Sequence, residues 1–187
     1  MKATPSDQRS ILDIQNFDFI TTSLNAKAAG LPEIAAISSL TIKQNNARDL
    51  RIAAETELND VKRELTRAEN DVEQVVSRIN RDEVRLASGT GAAKELEQLQ
   101  HELVSLAARR SELEEVELEI MMRVDGIKER ITELSAEESS LAAEIANLEI
   151  SKENALTIIF ADLKAAADDR TKTAASVNPE LLALYEK

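Results

Sequence analysis

The chain has no cysteine, no tryptophan and one histidine. Without cysteine there is no disulfide and no thiolate-metal site. Zinc needs three or four ligands, and the "HELVS" stretch at His101 puts Ser105 where a zinc protease would carry its second histidine. No serine has that lone imidazole available as its base in a convincing Ser–His–acid arrangement, so the expectation is a non-enzyme. Aromatic residues make up 2% of the chain, with 4 glycines and 3 prolines in 187 residues. A compact core of that size normally uses aromatic bulk to fill space. No apolar run approaches the roughly 20 residues that cross a bilayer, and the opening "MKATPSDQRS" has no apolar signal core. The expectation is a cytoplasmic chain that does not meet the membrane.

Positive charge is also scarce. Lys and Arg number 23 against 35 Asp and Glu, a net charge of −12. Divided at Gly91, the first part carries 12 basic and 14 acidic residues and the second 11 and 21. Neither part has the basic stripe that phosphate neutralisation requires. Direct nucleic-acid binding by these residues is not expected.

What remains is rich in Ala, Leu, Glu, Lys and Arg, with 31% charged and 43% hydrophobic residues. That composition suits long helices rather than disorder. Thr4-Pro5-Ser6-Asp7 opens a helix, with Thr4 as cap, Pro5 in the first turn and Asp7 at the positive end of the dipole. Gly30-Leu31-Pro32 predicts a kink or short break. From there to Leu86 no breaker intervenes. Leu58, Val61, Leu65, Ala68, Val72, Val75, Ile79 and Leu86 then recur three and four apart, with Asp82 in the one polar slot. Between Leu96 and Ile159 the same alternation visits 19 positions, 15 of them apolar; the exceptions are Arg110, Glu117, Glu138 and Lys152, all at heptad position a. Such a seam implies left-handed supercoiling. Asn178 and Pro179 start a short last helix.

The predicted fold is therefore all-α: a long antiparallel helical hairpin, a left-handed two-stranded coiled coil, with a kink near Gly30–Pro32 and a short C-terminal helix. Residues 1–177 form the hairpin, with arms at about 5–86 and 92–173 and a turn at 87–91; residues 178–187 form the last helix. Gly89-Thr90-Gly91-Ala92-Ala93-Lys94 has a G-x-G-x-x-K spacing, but a phosphate loop needs a preceding strand and a longer spacing. It reads as the bend. Charge pairing supports the reversal: Arg85–Glu95, Arg78–Glu102, Asp71–Arg109, Glu57–Arg123 and Lys43–Glu137 would face each other across the arms with opposite signs. The run "ELEEVELE" reads as a solvated face, and Met121 and Met122 as packing residues.

Several stretches carry a family resemblance. "LDIQNFD" (Leu12–Asp18), "LPEIAAISSL" (Leu31–Leu40), "RDEVRLASG" (Arg81–Gly89), the run from Lys94 to Met121 and "LLALYEK" (Leu181–Lys187) resemble the bacterial coiled-coil zinc-ribbon family. That resemblance implies a long helical hairpin and, past Lys187, a four-cysteine zinc ribbon with a nucleic-acid-binding role. Relatives in flagellar and type III secretion systems are chaperones or adaptors. Zinc is implied only for the ribbon, so these residues hold no cofactor and no metal.

The expected function is a coiled-coil interaction or scaffold protein with a protein partner; nucleic acid would engage only through the ribbon. The alternative is a chaperone-like adaptor that binds a helical client along the hairpin. Candidate contacts are Arg85, Thr90 and Lys94 at the turn. Phe17, Phe19, Phe160 and Tyr185 are candidates at the opposite end, where the same pairing brings the three phenylalanines together. A narrow two-helix seam buries little surface, so monomer and homodimer both stay open.

Overall fold

The computed structural model describes residues 4–187. Its elements are four helices: α1 (Pro5–Ala29), α2 (Pro32–Ala87), α3 (Ala93–Ala174) and α4 (Pro179–Tyr185). Each boundary has a local cause. Thr4 Oγ1 accepts from the Asp7 backbone N–H at 3.1 Å, while Asp7 Oδ2 accepts from the Thr4 N–H at 3.3 Å. This reciprocal cap satisfies two donors that a helix start leaves open. The α1 helix ends as the Gly30 N–H donates to Ala26 O at 2.9 Å, and Pro32 begins α2. Asn178 Oδ1 accepts from the Glu180 N–H at 2.9 Å and caps α4.

Between α2 and α3 the backbone turns at Gly89, whose φ of 61° lies in the left-handed region. A Cβ there would meet nothing within 4 Å. The residue is needed for its conformation and not for space. Ser88 Oγ donates to Arg85 O and lies 2.7 Å from Thr90 Oγ1, so the turn's own hydroxyls close its hydrogen bonds. The flanks are helical, without the strand a phosphate loop would need.

The chain divides into two compact units, one from Asn45–Ser139 and one from Met1–Gln44 with Ser140–Lys187. The first is the hairpin unit. Its centre is a buried cluster of Ala54 and Val61 from α2 with Val124 and Ile127 from α3, flanked by Leu58, Leu65, Ile120 and Ile131. All of these side chains are aliphatic, and the close packing of such groups holds the two helices together. The heptad reading holds closely. All nine α2 positions from Leu58 to Leu86 are buried or half-buried, as are 18 of the 19 on α3; Arg110 alone is exposed.

The seam also runs further back than the sequence reading traced it. Arg51, one heptad before Leu58, is half-buried, and its Nε donates to Glu138 Oε2 at 3.0 Å. Its Nη1 donates to Glu55 Oε1 at 2.6 Å. Glu138, a polar exception at position a, thus meets a polar a residue of the other arm. Both carboxylates push the Arg51 guanidinium pKa up, Glu138 most. Of the cross-arm pairs expected within this unit, Arg78–Glu102 forms. Arg109 turns to Glu112 on its own helix, and Arg123 takes Glu64 instead of Glu57.

The second unit, formed by the two ends of the chain, buries Ile14, Leu31, Leu141, Ile159, Ala166 and Val177. Ile14 and Ile159 are its largest fully enclosed side chains. No helix among the described residues is long and apolar enough to cross a membrane.

Candidate partner-binding site

In the terminal unit, three helices converge on one carboxylate. Asp18 on α1 accepts from Arg170 Nε of α3 at 2.7 Å through Oδ1. Through Oδ2 it accepts from the Tyr185 hydroxyl of α4 at 2.9 Å. Arg170 Nη2 also donates to Glu186 Oε1 at 3.3 Å, just past the end of α4. Arg170 beside it holds the Asp18 carboxyl below its usual range, and the Tyr185 hydroxyl adds to this against the effect of burial. Burial, followed by its bond to Asp18, pushes the Tyr185 phenol up.

A helix of seven residues has little stability of its own. Charge-assisted hydrogen bonds at its last turn, with Val177 buried just before its cap, hold α4 in place. Once fixed, α4 sets Leu181 against Gln8, Ile11 and Leu12 of α1, and the four line a cleft of about 270 Å³. Leu12, Gln15, Asn16 and Phe19 frame a second depression of about 310 Å³ on the same helix. Leu12 is 63% exposed and Phe19 71%. Spaced seven residues apart, they stand two turns apart on one face of α1, while Ile14 on another face is wholly buried. The Asp18, Arg170 and Tyr185 groups are engaged with one another; the open apolar face beside them suits binding rather than bond-making.

The other candidate residues fall as follows. Phe17 is half-buried, and Phe160 is 59% exposed. With Phe19 and Phe160 this open, the three rings form no shared buried core; the enclosed side chains of the unit are aliphatic. Arg85 and Thr90 line a small depression at the turn together with Glu95 and Leu96. Lys94 is exposed in the second residue of α3, and His101 is exposed as its heptad position requires. Among the described residues no group of three or more His, Cys, Asp or Glu could hold a metal ion. Met122, read as a packing residue, is 75% exposed, because it sits at position f, opposite the seam. Sequence reading missed Leu12, Asp18, Arg170 and Leu181. Only the seven-residue spacing of Leu12 and Phe19 was visible in advance.

Similarity to known proteins agrees with this architecture. The chain is 34% identical over 191 residues to the uncharacterised protein Rv2229c of Mycobacterium tuberculosis, spanning all of this chain and 76% of the relative. The solved structure of a Mycobacterium smegmatis protein superposes with a TM-score of 0.82 at 26% identity, over 100% of this chain and 77% of that one. CT398 from Chlamydia trachomatis shares the fold with a TM-score of 0.65 at 20% identity, over 95% of this chain and 74% of its own. The sequence pattern of the CT398-like coiled coil hairpin domain matches residues 14–187, and the chain belongs to that family.

Proposed function

We propose that this chain is a non-enzymatic coiled-coil interaction protein, a scaffold that holds a protein partner on the Leu12–Phe19 face of α1 beside the cleft closed by Leu181. One observation carries the reading: Leu12 and Phe19 stay open to water although α4 is clamped alongside by Asp18, Arg170 and Tyr185. Exposed apolar residues grouped on one helix face, next to a concave apolar cleft, mark interaction surfaces more often than scattered ones do. Tyr185 then acts by fixing the cleft.

Any nucleic-acid role belongs, in this reading, to the zinc ribbon that the sequence resemblance implies, and not to these acidic helices. The present chain should show no salt-sensitive affinity for RNA or DNA. A chaperone-like adaptor is the second reading, favoured by the exposure of Leu118 and Met122 on α3.

A photo-crosslinking residue placed at position 19 in cells tests the first reading. A discrete protein adduct that disappears in a Leu12→Glu background is the expected result. An adduct pattern indifferent to Leu12→Glu contradicts it.

A further inference from the structure

On α3, an apolar diagonal lies outside the seam and takes no part in the packing between the arms. Leu118 is 59% exposed and Met122 75%, and four residues further on stands Gly126, where a Cβ would meet nothing within 4 Å. Steps of four follow one of the ridges along which helices pack against each other. Glycine is the poorest helix former after proline. Gly126 needs no left-handed φ, and no neighbour crowds it. What it offers is backbone open to close approach from outside.

The outward b, c and f positions along this diagonal carry one sign, and Arg130, four residues past Gly126, ends the ridge with an exposed cation. At heptad positions b, c and f from residue 115 to 133, every ionisable residue is acidic: Glu115, Glu119, Asp125, Glu129 and Glu133. Lys128, at position e, reaches Asp125 at 2.9 Å. The other four acids are exposed and make no ion pair among the described residues. The nearest arginine at position g, Arg123, is engaged with Glu64 at 2.9 Å.

We propose that this face docks a basic amphipathic helix of a protein partner. The partner's apolar row covers Leu118 and Met122, one of its larger side chains lies over Gly126, and its Lys or Arg residues reach Glu115, Glu119, Glu129 and Glu133. The charge complementarity selects this occupant. A second copy of the same face would set acids against acids, and nucleic acid or an anionic membrane carries the same sign as the frame. A helix following the diagonal ridge crosses α3 at about 50° instead of running along it. The site is distinct from the Leu12–Phe19 face; it rests on the second reading above, the adaptor, and gives that adaptor's client a stated chemistry.

Fluorescence anisotropy with the full chain and three synthetic helical probes tests the proposal. The probes are a Leu/Lys amphipathic helix, a scrambled peptide of the same composition, and a Leu/Glu amphipathic helix. The Leu/Lys helix should bind saturably, the scrambled peptide far more weakly and the Leu/Glu helix not at all. Met122→Glu and Leu118→Glu add negative charge, so attraction by charge alone would tighten; loss of the apolar anchors should instead weaken binding about tenfold. Val104→Glu, at an exposed b position of the same helix, should not weaken it. Circular dichroism of the variants checks that the helices persist, as expected for exposed sites. Binding that tightens or stays the same with Met122→Glu, or scrambled and patterned peptides that bind alike, overturns the proposal. A Leu12→Glu/Phe19→Glu variant should bind the Leu/Lys probe normally, so failure of the α1 surface would not be mistaken for failure here.

Discussion

Tyr185 donates its hydroxyl to Asp18 from 167 positions further along the chain, and this bond, with Arg170, ties the last helix to the first. The pair gives α4 a pH window. Asp18 has a depressed carboxyl pKa when folded, so its contribution is present above the ordinary value of about 4 and is lost as pH falls through the lower folded value. Tyr185 has a raised phenol pKa, so its contribution is present below the ordinary value of about 10 and is lost as pH rises through the higher folded value. Because it is the sole tyrosine and tryptophan is absent, phenolate absorbance reports on it alone. Its titration midpoint should lie above that of free tyrosine. In Asp18→Ala the midpoint should fall, since the bond to Asp18 is one of the causes that raise it. A wild-type midpoint at or below the free value would contradict the clamp.

Arg51 and Glu138 form a polar layer within an otherwise largely apolar stretch of the seam. Removing Arg51 leaves Glu138 half-shielded from water without a counter-charge, and removing Glu138 leaves Arg51 with Glu55 alone, whereas replacing both with apolar residues restores a continuous seam. Arg51→Leu or Glu138→Leu alone should lower the melting temperature. The Arg51→Leu/Glu138→Leu double variant should recover it or exceed the wild type. The double variant should also tolerate alternative registers more readily, as buried polar residues in coiled coils specify alignment at the expense of stability. Thermal melts decide the first point, and cysteine cross-linking across the arms decides the second.

Two glycines should respond to alanine with opposite signs. Gly89→Ala forces a Cβ into the left-handed region and should cost about 1–2 kcal/mol. Gly126→Ala fills open space within a continuous helix and should stabilise by up to about 1 kcal/mol. Denaturant melts of the two variants, side by side, check the pair.

The elements set by local signals could be read from the sequence alone. Thr4 with Asp7, the Gly30–Pro32 break, the turn at Gly89 and the Asn178–Pro179 start each act over a few residues, and all appear where expected. The seam was equally legible, because its three-four alternation is fixed by the geometry of paired helices. Partner choice among exposed charges was not. Arg109 and Arg123 found acids other than those assigned, since such pairs are worth only about 0–1 kcal/mol and long side chains reach several acids at similar cost. Arg51–Glu138 could have been found by extending the seam one heptad before Leu58. The Asp18, Arg170 and Tyr185 cluster gave no local sign, because its members meet only once three separate helices have packed.

The central claim is that α2 and α3 reverse at Gly89 and close on each other, which engages their a and d positions internally. With no native cysteine, spin labels at Arg78→Cys and Glu102→Cys report one distance within the molecule. The hairpin places these two side chains in an ion pair, so a short distance is expected, unchanged on dilution with unlabelled protein. A distance near about 36 Å, the span of these 24 residues as one straight helix at about 1.5 Å per residue, would contradict it.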